Sequence, residues 1–106
     1  MQKYLFRGTY TSEGMKGVIK DGGTGRKAAV KALAESVGGK MESMYFAFGS
    51  DDFFVVADLP DAESAVAVAA ATGSAGVVNL TTVVLLTPEQ IDAGVKKTVN
   101  YRRPGG

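Results

Sequence analysis

Gly39 to Leu59 reads GKMESMYFAFGSDDFFVVADL, and the rest of the chain is organised around it. Met41 to Phe48 and Phe53 to Leu59 carry the aromatic and branched residues that suit a pleated sheet, and Gly49-Ser50-Asp51-Asp52 between them has turn chemistry. Alternation in the first run puts Met44, Phe46 and Phe48 on one face and Met41, Ser43, Tyr45 and Ala47 on the other. The second run is apolar on both faces, so both need a covering.

Upstream, Lys3 to Tyr10 alternates as a strand, with Tyr4, Phe6, Gly8 and Tyr10 opposite Lys3, Leu5, Arg7 and Thr9. Thr11-Ser12-Glu13 opens a short helical segment that carries Met15, Val18 and Ile19 and is expected to end in Asp21-Gly22-Gly23. Thr24 then caps a helix to about Val37, with Ala29, Val30, Leu33, Ala34 and Val37 at helical spacing. Downstream of the hairpin, Pro60-Asp61 enters a small-residue helix running from Ala62 to about Thr72, and Val77 to Leu86 returns to strand character. Thr87-Pro88-Glu89-Gln90 supplies an N-cap, a first-turn proline and a capping-box glutamine for a last helix reaching about Thr98.

The order βαββαβ plus a helix predicts an α+β, ferredoxin-like domain over residues 1–99, with a four-stranded antiparallel sheet, and a flexible tail over 100–106. Helices on one sheet face leave the other bare. Leu5, Val55 and Val83, or their opposite-face neighbours Phe6, Phe54 and Val84, would then be exposed in a monomer. Burying each is worth roughly 1.5 to 3 kcal/mol, which predicts sheet-to-sheet pairing with a second copy.

Composition narrows the chemistry. The 106 residues contain no cysteine and no histidine. That removes disulfides, thiolate nucleophiles, the usual zinc ligands and the imidazole base, so no metal or cofactor is expected. Twelve basic against eleven acidic residues give a net charge of +1, too little to draw the whole chain to nucleic acid or to an anionic membrane. The N-terminus lacks an apolar signal core, and the Ala/Val-rich stretch of residues 65–71 is too short to span a bilayer, so a cytoplasmic protein is expected.

Four stretches carry a family likeness: YLFRGTYTSEGMKG (4–17), GGTGRKAAVKALAESVGGK (22–40), MYFAFGSDDFFVVADLPD (44–61) and VVLLTPEQID (83–92). Together they resemble the GYD-domain proteins, small domains without an established biochemical activity, which are similar in turn to dimeric α+β-barrel proteins. The family hairpin tends to read Phe-Gly-any-Tyr-Asp. Phe48, Gly49, Ser50 and Asp52 fit that pattern, and Asp51 stands where the tyrosine is expected. The resemblance implies the fold and a homo-oligomer, and it implies no catalytic residues.

Candidate site residues come from the chain itself. Backbone amides of Gly22 to Gly25, with Arg26 and Lys27, form an anion cradle in outline, although Gly-Lys-Ser/Thr at P-loop spacing is missing. Cations in a first helical turn oppose the dipole, at about 0.3 to 1 kcal/mol each, and a bound anion or a partner acid would reverse that sign. Arg7, on a strand that the topology makes central, could hold a carboxylate in bidentate geometry, with Tyr10 and Tyr45 adding hydroxyls. The bland readings are an ion pair for Arg7 and packing for the tyrosines. Asp51, Asp52 and Asp58 read first as turn and strand-end acids, with Arg7 or Lys40 as the cation Asp58 would need if buried. The resulting expectation is a homo-oligomeric module binding a small anionic molecule through Arg7, Tyr10, Arg26, Lys27 and Tyr45. A cofactor-independent enzyme with Asp52 or Tyr45 as base beside Arg7, and a purely structural assembly protein, are the alternatives.

Overall fold

A computed structural model describes all of residues 1–106. Seven elements follow one another: β1 (Gln2–Tyr10), α1 (Ser12–Ser36), β2 (Lys40–Phe46), β3 (Phe53–Leu59), α2 (Ala62–Ser74), β4 (Val78–Leu85) and α3 (Pro88–Val95). The four strands form one antiparallel sheet in the order β2-β3-β1-β4, the ferredoxin-like arrangement, with β1 central as that topology requires. No helix is long and apolar enough to cross a membrane.

α1 carries the expected break between two helical pieces, which meet in a kink at Gly22, whose φ of 74° only glycine adopts cheaply. The helix starts at Thr11, whose hydroxyl accepts from the Gly14 amide at 3.2 Å. α2 is capped by Asp61, which accepts from the Ser64 amide at 2.8 Å and its hydroxyl at 2.6 Å. These bonds, the hydroxyl's foremost, hold the Asp61 carboxyl below the usual carboxylate range. α3 ends at Val95, a turn short of the sequence expectation.

Strand register corrects the grouping of the sheet faces. Leu5 pairs with Val56 and Val83, whereas Phe6 pairs with Val55 and Thr82. Val55 therefore lies on the helix-covered face with Tyr4, Phe6, Phe53, Ala57 and Leu59, and these residues form the core with Ala65 and Val68 of α2. Leu59 is its most enclosed side chain at 1% exposure. Leu5, Phe54, Val56 and Val83 share the outer face, half-buried. A bulge between Met41 and Ser43 makes the second correction. It inserts one residue, so Met41 and Met44 both pack against the core although they are three apart. β2 stops at Phe46, which leaves Phe48 in solvent beyond the strand.

Candidate functional site

Between the sheet and the two long helices lies a cavity of about 80 Å³, several times what one water requires. Of its fifteen lining residues thirteen are hydrophobic, and Arg26 alone carries a charge. Its floor is the inner sheet face, Phe6, Phe53 and Val55; Val30 and Leu33 of α1 and Val68 of α2 close the sides. Small residues on α2 let that helix lie near the sheet, and Thr72 turns its hydroxyl back onto the Val68 carbonyl at 2.8 Å. The lining therefore has little polar surface of its own.

At one end of this cavity Tyr10 is shared with a more open groove of about 340 Å³, walled by Met15, Val18, Phe46 and Phe48. The kink at Gly22 lies alongside: Gly23 borders this groove, and Arg26, one helical turn on, reaches the inner cavity. Tyr10 is fixed from three directions. Its ring tilts on Phe53 at 5.1 Å, its amide donates to Asp52 Oδ2 at 2.9 Å, and Arg26 stands near its hydroxyl. Burial pushes the hydroxyl above the usual phenol range; the Arg26 guanidinium opposes the shift and the Asp52 carboxylate adds to it.

The sign of the resulting pH dependence is set by that raised folded value. Tyr10 keeps its proton more tightly in the folded chain, so its contribution is complete below about pH 10, the unfolded phenol value, and is lost as pH rises through the folded one. Lys3 is also raised, through its bond to Asp58 and then Glu42, and loses its proton in the same alkaline range. Comparison with Tyr10→Phe isolates the tyrosine: the denaturation midpoint should fall less between pH 9 and pH 11 in the variant than in the wild type.

The five residues singled out by sequence divide between two sheet faces. Tyr10 and Arg26 meet at the cavity, while Lys27, next in the chain, is exposed and outside its lining. Arg7 and Tyr45 belong to the outer face. Tyr45 is 71% exposed, and Arg7 donates from Nη1 to Asp51 Oδ2 at 2.9 Å. Arg7 thus makes the ion pair that was its plainer reading. Asp51 is the better enclosed partner, with 13% side-chain exposure against 41% for Arg7. The residue that stands in the tyrosine position of the hairpin pattern thereby ties the β2–β3 turn to the central strand.

The other acids also have structural bonds. Asp52 accepts from Tyr10, and its own amide donates to the Gly8 carbonyl at 2.7 Å. Asp58 accepts from Lys3 at 3.0 Å rather than from Arg7 or Lys40. Asp21 sits 4.0 Å from Arg26 at the kink, supplying the acid that a first-turn cation calls for. No group of three acids is placed to hold a metal ion. The apolar cavity was not visible in the sequence, because its walls alternate with surface positions on six elements; the signal nearest to it was Arg26 in a helix otherwise patterned for burial.

Fold and cavity together define a small α+β domain with one charged side chain at an apolar cleft. The sequence model of the GYD domain matches residues 4–95, so the chain belongs to the GYD-domain family. No curated protein matches it. No solved structure matches it.

Proposed function

We propose that this domain binds a small molecule with an apolar body and one anionic group, the body filling the cavity between the sheet and the helices and the anion meeting Arg26 and Tyr10. The observation that carries this reading is the single guanidinium in a lining that is otherwise almost wholly apolar. Apolar enclosure with a few placed polar groups is the usual form of a small-molecule site. The one acid that faces Arg26 is Asp21, at a long 4.0 Å, so a carboxylate brought within hydrogen-bond distance would compete well for it. The same reading includes a homodimer paired through the outer sheet face, where Leu5, Phe54, Val56 and Val83 form an apolar patch.

Titration with 1-anilinonaphthalene-8-sulfonate, an aromatic anion whose fluorescence reports apolar enclosure, followed by medium-chain carboxylates as competitors, tests the site. Arg26→Met keeps most of the apolar stem and removes the charge. A charge-assisted hydrogen bond is worth about 1.5 to 3 kcal/mol, so the carboxylate affinity should fall roughly 10- to 150-fold. Arg7→Met, on the opposite face, should leave it unchanged. Equal losses in both variants, or competition by uncharged alcohols as strong as by carboxylates, would remove Arg26 from the site.

A further inference from the structure

The C-terminal arm, residues 86–106, stands apart from the rest of the domain. Every residue from Pro88 onward is exposed, and α3 buries nothing. The arm stretches the molecule to 57 Å, with a radius of gyration of 16.9 Å where a compact chain of this length would have about 13 Å. Yet its helix is carefully begun: Thr87 and Gln90 form a complete capping box at 2.8 and 3.1 Å, with Pro88 in the first turn. Leu86 and Ile91 occupy the positions of a hydrophobic staple. An isolated helix of eight residues is marginal in water, so this one needs a surface.

Its chemistry indicates which surface. Ile91, Val95 and Val99 recur at intervals of four, and Val95 is 77% exposed. From residue 96 on, beyond the matched family region, the chain carries Lys96, Lys97, Arg102 and Arg103 and no acid. Residues 1–95 hold eight basic and eleven acidic side chains, so a net acidic body is joined to a wholly basic tail. Acids gather at the sheet end where β2 begins, β3 ends and α2 starts: Glu42, Asp58, Asp61 and Glu63, against Lys3 and Lys40. The arm leaves from this same end, since Leu85 pairs with Lys3, and it lies on none of its own chain's surfaces.

We propose that the arm docks on a second copy of this chain, its Ile91–Val95 stripe against the partner's apolar surface and its basic tail against the acidic sheet end, reciprocally in a closed dimer. Reciprocal exchange satisfies both arms with one two-fold axis. This rests on the dimer named above and goes further, because a dimer paired only through sheet faces would leave α3 free.

The test uses the full chain. Sedimentation should show a dimer. Ile91→Asp combined with Val95→Asp, or reversal of the four basic residues to Glu, should each raise its dissociation constant at least tenfold while the circular dichroism of the body is kept. Raised salt should weaken the wild type but not the charge-reversed variant. The chain has no cysteine, so Val95→Cys labelled with a benzophenone maleimide gives a unique cross-linker. In a mixture of isotopically light and heavy chains, light–heavy cross-links from residue 95 support exchange. A dimer indifferent to both sets of substitutions, or cross-links confined to one chain, overturns the arm exchange and leaves the sheet-face dimer standing. A monomer at 50 µM overturns both.

Discussion

Gly14→Ala should destabilise the domain by about 2 kcal/mol or more, whereas Gly17→Ala, one turn along the same helix, should stabilise it by about 0.5 to 1 kcal/mol. Alanine in a helix interior gains the propensity difference at either position, so only the surroundings separate the two. A Cβ on Gly17 meets nothing within 4 Å. A Cβ on Gly14 would collide with the Val77 carbonyl oxygen, closer than any real contact allows. That oxygen cannot yield freely: it accepts from the Thr11 amide at 3.0 Å, and the Thr11 hydroxyl donates to the Gly76 carbonyl at 2.9 Å. The first turn of α1 is thus clamped against the turn that leads into β4, and any side chain at Gly14 must pry the clamp open. Thermal melts should show Gly14→Ala lower by about 8 °C or more, with Gly17→Ala slightly higher than wild type. Equal shifts of the same sign in both variants would mean that α1 does not seat on Val77.

The close approach at Gly14 could not be read from the sequence, where Gly14 and Gly17 look alike. What could be read were the features with a local cause. Strand alternation in Lys3 to Tyr10, the two apolar faces of Phe53 to Leu59 and the Thr87–Gln90 capping box each have a short-range physical reason, and together they define the ferredoxin-like order. Errors arose where a long-range choice intervened. The bulge after Met41 shifts the phase of β2 by one residue, and no residue type there demands it. Gly22-Gly23, by contrast, interrupts the helical backbone where its local chemistry predicts a break. Leu5 was matched with Val55 rather than Val56 because strand pairing register is fixed by partners far apart in sequence.

Site legibility follows the same division. Arg26 stands out for a local reason, a cation in a first helical turn, whereas Tyr10 is expected as a hydroxyl beside Arg7 and the fold instead brings it to one cavity with Arg26. Arg7 stands out for its central strand position, but its partner, Asp51, sits 44 residues away in the β2–β3 turn. An aspartate in a turn has enough local uses that its long-range one leaves no mark in sequence.

Phe53→Ala should be the most damaging single truncation in the cavity wall, at about 3 to 5 kcal/mol. Phe53 is buried at the start of β3, pairs with Gly8 on the central strand and with Phe46 on β2, and supports the Tyr10 ring at 5.1 Å. Glycine opposite it offers no side chain to fill the space, so the void would join the existing cavity rather than collapse. Only eleven residues of the chain are buried, and domains of this size hold about 5 to 15 kcal/mol in total, so the loss is a large part of the whole. Urea unfolding should show the midpoint falling sharply with the slope little changed. Phe53→Leu, which keeps most of the volume, should cost less than half as much. Because the lost ring is part of the proposed ligand site, an apolar anion longer than the wild type accepts should recover more stability in Phe53→Ala than in wild type, by occupying the enlarged cavity. Recovery that is equal in the two proteins, measured as the ligand-dependent shift in midpoint, would place the ligand away from Phe53 and hence outside the cavity.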